Sequence, residues 1–431
     1  MSQQKEVVII GGGFGGISAA KVLAKSDFEV TIIDKKNHHL FQPLLYQVAT
    51  AALSPGDIAM PIRSIFSKSK NIRTLLGEVT AIDKEKNVVQ LRSGETISFD
   101  YLVAAPGTVY NYFGNEEWPQ HAPALKTIDN ALSIREKILV SLEKADQTKD
   151  PKTRVPYLVF AIIGGGPTGV EMAGAIAEIT KKGLMMDYKN ISADETRIYL
   201  IEAAPRILLG YPDRLAEKAK TDLEKLGVSV LTDHPVTDIQ KKGVAMGDHF
   251  IESHNIVWAA GVNTHPLVKT LQSEYDKMGR VKVNPDLTVP GHDHIFVIGD
   301  AAHFVGKDND PLPPLAPVAI QQGRYAGNLI KKREKGETAA PFRYRDKGKM
   351  ATIGRAKAVA DIRGFKLSGV FAWLAWSFIH IFFLIGFRNR FRVFAEWTWY
   401  YFTFKRGVRL ITGRYSENVD ESDKKEILES G

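Results

Sequence analysis

An α/β fold made of two parallel-sheet units and a separate C-terminal helical segment is predicted by three features of the sequence. The first is an internal echo. Residues 6–16 read EVVIIGGGFGG and residues 159–169 read VFAIIGGGPTG, each a β-branched apolar run, a glycine-rich turn and then a helical pattern. The second is the alternation of short apolar runs with helical patterns along most of the chain, which argues for parallel strands covered on both faces. The third is a change of character after Lys366. Residues 367–387 carry no Asp, Glu, Lys or Arg, and 15 of the 34 residues in 371–404 are Phe, Trp or Tyr.

The elements follow in order. Strands are expected at Val88–Leu91, Tyr101–Ala104, Ile198–Glu202 and Ile256–Ala259, and helices at Gly16–Ser26, Thr127–Lys144, Val170–Met185 and Asp213–Leu226. Residues 146–156 are polar and end in proline, which reads as a linker into the second unit. The proline-rich stretch 308–317 cannot continue a helix and precedes a helical pattern at Val318–Lys332. From Ser416 the chain is polar and acidic, as in a disordered tail.

Composition narrows the chemistry. The 431 residues include no cysteine, which removes disulfides, Cys-ligated zinc, iron–sulfur clusters and thiol redox chemistry, but not redox carried by an organic cofactor. No spacing of His, Asp or Glu points to a metal site. The net charge of +8 is concentrated: residues 343–414 hold 15 Lys or Arg against 3 Asp or Glu, while residues 1–342 hold 40 of each. A basic, aromatic segment suits a lipid surface, and it is too apolar for a nucleic-acid groove reader. The N-terminus runs straight into a strand pattern with no signal or transit segment, so a bacterial-type cytoplasm is the expected compartment.

The glycine turns carry specific demands. In Gly11-x-Gly13-x-x-Gly16, one glycine makes the tight turn, one admits a pyrophosphate against the backbone and one lets helix and strand pack closely. Asp34 stands where an acid at the end of the next strand holds a ribose hydroxyl. Gly164, Gly166 and Gly169 repeat the pattern, with Glu202 as the acid, and an acid there favours NAD over NADP. Arg206 is the nearby residue that argues the other way. A third element, Ile295–Asp300, is an apolar strand ending in Gly299-Asp300 before an expected helical Ala301–Phe304. With two glycine turns upstream, Asp300 reads as a flavin ribityl contact rather than a plain helix cap.

With these residues in place the sequence resembles a family. Two Rossmann-like units with a late Gly-Asp resemble the two-dinucleotide-binding flavoproteins, and within them the type II NADH dehydrogenases, single-subunit NADH:quinone oxidoreductases that do not pump protons. The resemblance rests on HHLFQPLLYQVAT (38–50), GGGPTGVE (164–171), WAAGV (258–262), VIGDA (297–301), APVAIQQ (316–322), LIGFRNR (384–390) and FKRGVRLITG (404–413). It implies non-covalent FAD in the first unit, NADH in the second and a quinone as acceptor. Glu171 would stand near flavin and nicotinamide, orienting NADH or relaying a proton. Ala105 and Gly107 would form a second FAD-contacting turn, Gln42 would pack beside the isoalloxazine, and Ala260 and Gly261 would give passage to the nicotinamide nucleotide. The quinone motif of the family is usually A-Q-x-A-x-Q. Here Pro317 stands at its first Gln, leaving Ala316, Pro317, Gln321 and Gln322 as the expected quinone site, with Arg388 placed to stabilise a quinone anion.

The expected division is an FAD-binding domain over 1–115 and 285–345, an NADH-binding domain over 150–284, a membrane-anchoring region over 346–414 and a polar tail over 415–431. The resemblance also implies a homodimer seated peripherally on the cytoplasmic face of a bacterial inner membrane. At 1.5 Å per residue, Leu367–Phe387 would reach about 30 Å, so a membrane span stands beside the monotopic reading, with a buried core helix or dimer interface as a third. Two other functions remain open: a membrane flavoprotein that senses NADH without turnover, and a reductase for a small electron-carrier protein.

Overall fold

The computed structural model describes residues 4–183, 187–306, 309–403 and 408–411. The FKRGVRLITG motif lies largely outside them, and the acidic tail entirely so. Apolar β-branched runs make the two sheet centres. The first unit opens with β1 (Glu6–Ile10), α1 (Phe14–Leu23), β2 (Glu29–Asp34), β3 (Ile72–Leu76) and β4 (Tyr101–Ala104). A long helix, α2 (Ile128–Gln147), then leads to the second unit: β5 (Val159–Ile163), α3 (Pro167–Glu178), β6 (Arg197–Ile201), α4 (Asp213–Glu224), β7 (Val228–Leu231) and β8 (Asn255–Trp258). The chain returns to the first unit through β9 (Thr288–Val289), β10 (His292–Val297) and α5 (Ala316–Glu334).

The first sheet has the order β9-β10-β4-β1-β2-β3, parallel except at β9, with Val7 opposite Val30 and Tyr101. The second has the order β7-β6-β5-β8, all parallel, with Ile162 opposite Leu200 and Val257. Both central strands are buried almost throughout, as parallel strands covered on two faces must be. Each places its glycine turn at its C-terminal end, where open α/β sheets hold ligands. A two-stranded ribbon, Thr108–Tyr110 against Val262–Thr264, ties the units together.

Helix α1 packs against α5 through glycines. A Cβ at Gly323 would lie 2.2 Å from the Gly15 carbonyl oxygen, so only hydrogen fits there. Gly323→Ala is therefore expected to cost about 1–3 kcal/mol as the helices are forced apart. The check is a lower urea midpoint with an unchanged slope.

Three boundaries differ from the sequence reading. The expected helix at Ala301–Phe304 is instead a single 3₁₀ turn, Gly299–Ala301, followed by a short strand, Ala302–His303, which pairs with Val281–Lys282. That pairing takes the backbone groups a helix would have used. Leu267, Val268, Leu271 and Val281 pack with Val8, Ile10 and Ile33, so the first unit's core reaches back before residue 285. The linker expected at 146–156 is partly helical, with Asp150 capping the turn Pro151–Arg154.

The C-terminal region begins as an antiparallel sheet, β11 (Lys349–Gly354), β12 (Lys357–Ile362) and β13 (Phe365–Ser368), and continues into α6 (Val370–Phe383) and α7 (Phe387–Thr403). One stripe of these helices is buried: Ala372, Trp376 and Val393, with Leu384 between them, join the core of the second unit. The opposite stripe exposes Phe371, Phe378, Phe382, Phe387, Phe391, Phe394, Trp399 and Phe402, with Phe387 at 84%. The 21-residue uncharged run is thus a strand end, a 14-residue helix and a turn at Leu384–Gly386. Among the described residues no helix is long and apolar enough to cross a membrane, and the spanning alternative is dropped.

Candidate active site

One cleft of about 480 Å³ is lined by the first glycine turn and by the start of α3 beside the second. On the first unit's side it is lined by Gly11, Gly13, Asp34, Gln42, Ala105, Gly107, Gly299, Asp300 and Ala316. From the other side come Thr168, Glu171, Ala260 and Gly261.

The first turn is built to take an anion. Gly11 has φ of +97°, and Gly16 packs so closely that a Cβ would sit 1.9 Å from the Gly11 carbonyl oxygen. The N-terminus of α1 has no side-chain cap, which leaves its amides for a phosphate. Asp34 accepts from Gly12 N at 2.6 Å and from Lys36 N at 2.7 Å. Burial pushes its carboxyl up, against those two donors. His39 donates from Nδ1 to Gly12 O at 2.9 Å, and burial holds its pKa down at about 4, so it serves as a neutral loop strut.

Asp300 is likewise pushed up by burial, with Lys126 and Thr108 opposing. Lys126 donates to Thr108 Oγ1, and burial pulls its ammonium pKa down while Asp300 draws it back. Lys126 is a cleft residue that sequence reasoning missed. It precedes the Thr127 N-cap of α2, a position that carries no local signal of chemistry. Gln42 donates to the Lys126 carbonyl at 3.1 Å, tying the 38–50 segment to it.

In the second unit Gly164 has φ of +111°, and a Cβ at Gly169 would meet the Gly164 carbonyl oxygen at 1.8 Å. Gly166 caps α3 with no side-chain partner. Glu202 accepts from Gly165 N and from Ala204 N, which fixes its carboxylate beside the turn. Arg206 donates to the Tyr211 and Leu209 carbonyls at 3.0 and 3.1 Å and pairs with Asp213 at 3.2 Å. The residue that argued for NADPH is thus committed to its own loop. Glu202→Ala is expected to raise the NADH Kd about tenfold and to narrow the NADH-over-NADPH preference, read by calorimetric titration of both nucleotides.

Glu171 sits in the second turn of α3, facing the first unit. Its Oε1 accepts from Thr352 N at 3.4 Å, and the buried indole of Trp376 lies beside it without completing a hydrogen bond. Burial dominates and pushes the carboxyl up to about 8. Thr352 and Trp376 were not singled out from sequence.

The rest of the expected quinone set is dispersed. Pro317 lies in the first turn of α5, where a missing N–H costs nothing. Gln321 is engaged with the Arg345 backbone, donating to O and accepting from N, both at 3.0 Å. Gln322 is buried and accepts from Gly299 N at 2.6 Å, so it braces the Gly299-Asp300 turn. Arg388 is exposed on the first turn of α7 and lines neither the cleft nor the smaller cavity beside Glu171. The structure therefore does not bring Gln321 or Arg388 to the reacting region.

Comparisons with known proteins give the family and the fold. The pyridine nucleotide-disulphide oxidoreductase family model matches residues 5–323, and the NDH2 C-terminal domain model matches residues 347–406. The chain is 43% identical over 425 residues to the type II NADH:quinone oxidoreductase NdhA of Mycobacterium tuberculosis, covering 95% of this chain and 89% of that protein. The chain belongs to the type II NADH:quinone oxidoreductases. A second M. tuberculosis relative, the type II NADH:quinone oxidoreductase Ndh, is 41% identical over 95% of this chain and 91% of its own length. In fold, the chain matches the Plasmodium falciparum NDH2 structure in complex with NADH at a TM-score of 0.86 and 22% identity, covering 94% of this chain and all of that one. The sulfide:quinone oxidoreductase of Aquifex aeolicus shares the fold at a TM-score of 0.72. Within this family the chain has no cysteine, so the dithiol chemistry in the family model's description is not its own.

Proposed function

We propose that this chain oxidises NADH and reduces a membrane quinone to quinol through FAD bound in the first unit. The observation that carries the reading is one cleft shared by the first glycine turn and by Thr168 and Glu171 at the start of α3, with Ala260 and Gly261 beside them. The residues fit the cofactor. The uncapped α1 amides and the open space at Gly13 suit the pyrophosphate, Asp34 suits the adenosine ribose and Asp300 suits the ribityl chain. When bound, FAD takes a hydride from NADH and passes two electrons on to the quinone.

The protein's own part is positioning and proton handling. Gly166 and Glu202 hold the nucleotide while Ala260 and Gly261 leave it room. Lys126 provides a cation in the cleft where negative charge builds up. Glu171 is protonated at neutral pH and donates to the acceptor. Ala316 borders the acceptor side of the cleft, and Gln322 holds the Gly299 turn in place. Anaerobic mixing followed at the flavin band tests both halves. NADH should bleach it and a short-chain quinone should restore it; bleaching without recovery would leave the NADH-sensing reading in its place.

The seat is a membrane surface, met from the cytoplasmic face of a bacterial inner membrane. The exposed phenylalanines of α6 and α7 offer apolar area, and Arg388, Arg390 and Arg392 flank it for anionic headgroups. A quinone's tail partitions into lipid, so an enzyme at the lipid boundary meets it there. The homodimer is carried over from the family resemblance, and molecular mass in mild detergent reads it.

A further inference from the structure

Glu171 and Tyr46 line two spaces, the main cleft and a second cavity of about 70 Å³. This second cavity lies between α3, the β11–β12 hairpin and the terminal helices. It is lined by buried Thr352 and Trp376, by half-buried Glu171, Glu178 and Arg355, and by exposed Glu396, which opens it to solvent. Glu178 accepts from Arg355 N and from the Tyr400 hydroxyl at 3.2 Å, and Glu396 is exposed on α7.

Two observations say what this space holds. Trp376 is 2% exposed, and its Nε1–H faces the Glu171 carboxyl without completing a well-formed hydrogen bond. A buried donor left unpaired costs roughly 1–3 kcal/mol, so an acceptor belongs there. The size decides which one. An engineered cavity of about 150 Å³ accepts benzene, and a water occupies about 30 Å³ of liquid, so 70 Å³ suits a short file of waters and not a ring. The groups facing it are Glu171 and Glu178 from α3, Arg355 from the hairpin, Glu396, Tyr400 and Tyr401 from α7, and Tyr46; α6 contributes two indoles.

We propose that this cavity is a proton inlet, in which Glu178 and Glu396 pass solution protons through ordered water to Glu171. The proposal rests on the NADH:quinone reading, because only that reaction gives the inlet work. NADH supplies two electrons and one hydrogen nucleus as hydride. Quinol formation takes two electrons and two protons, so each turnover draws one further proton from solution: NADH + H⁺ + quinone gives NAD⁺ + quinol. The Glu171 O–H bond breaks as an O–H bond forms on the quinone oxygen, and the carboxylate is reprotonated along the inlet. The Trp376 N–H holds the water nearest Glu171.

The test uses the FAD-loaded full chain. In weakly buffered medium with a pH-indicator dye, one equivalent of NADH and excess short-chain quinone should draw one proton per NADH. In the E178Q/E396Q double variant that uptake should slow about tenfold at pH 8 and be restored by millimolar imidazole. A second readout needs no turnover. The protonated-carboxyl infrared band of Glu171, identified by its loss in Glu171→Gln, should exchange with D₂O about tenfold more slowly in Ala175→Leu. Ala175 lines the cavity and its enlargement plugs it. Wild-type uptake and wild-type exchange in these variants would overturn the inlet. Absence of quinone turnover in the parent protein would instead overturn the functional reading, and the exchange experiment would still judge the cavity.

Discussion

Glu171→Gln is expected to keep FAD bound, lower quinone turnover by about 10²-fold and erase the alkaline limb of the pH profile. In the parent protein the donating form is the protonated one, and burial pushes the carboxyl up to about 8. Turnover should therefore hold level through neutrality and fall as pH passes about 8. The same substitution should stabilise the fold, and the sign can be worked out. A carboxyl raised in the folded state from its ordinary value of 4.5 binds more protons folded than unfolded between those two values, so stability falls as pH rises through that window. Glu171→Gln removes this penalty. Its gain in thermal midpoint should be absent near pH 4, grow to pH 8 and then level off. A few kcal/mol is the upper range, because water in the cleft solvates part of the charge. Scanning calorimetry at pH 4, 6 and 8 checks the trend, and a flat difference across that range would refute it.

The second large effect is expected at the membrane. Phe378, Phe382 and Phe391 are 71%, 57% and 64% exposed. Burying each in the interface is worth roughly 2 kcal/mol, so changing all three to Ser should weaken vesicle binding by about 10³–10⁴-fold. Flotation with vesicles containing anionic lipid reads this, while NADH bleaching of the flavin should be unaltered. Binding that survives the triple change would remove the anchor. Point changes on the outer stripe are the right probe, because deletion from Lys366 would also strip Trp376, Leu384 and Val393 out of the core.

What the sequence disclosed is what short spacing encodes. Gly11, Gly13 and Gly16, their counterparts at 164, 166 and 169, and the acids Asp34 and Glu202 sit in strand–turn–helix patterns whose geometry is local. The structure places them as the spacing implied. What it did not disclose arises from pairs far apart in the chain. Thr352 reaches Glu171 across 181 positions, and Lys126 meets Asp300 only because the sheet order sets β4 beside β10. The expected helix at 301–304 failed for the same reason: a strand from residues 281–282 claims its backbone. Gln321 and Arg388 were expected at the site through motif likeness. One is tied to the 345 segment and the other stands on the outer helix.

Trp376 belongs to two worlds at once. Its ring stacks on Trp397 at 5.2 Å and on His380 at 4.2 Å, inside helices whose outer faces are exposed phenylalanine, while its indole borders Glu171. Close-packed aromatic rings transmit displacement rather than absorb it. On the proposed membrane seat, a bilayer that squeezes or tilts α6 and α7 would therefore move the wall of the carboxyl's chamber. Acyl-chain order and lateral pressure would then become inputs to the acid strength of Glu171, and a micelle and a native membrane should yield different alkaline limbs for the same polypeptide.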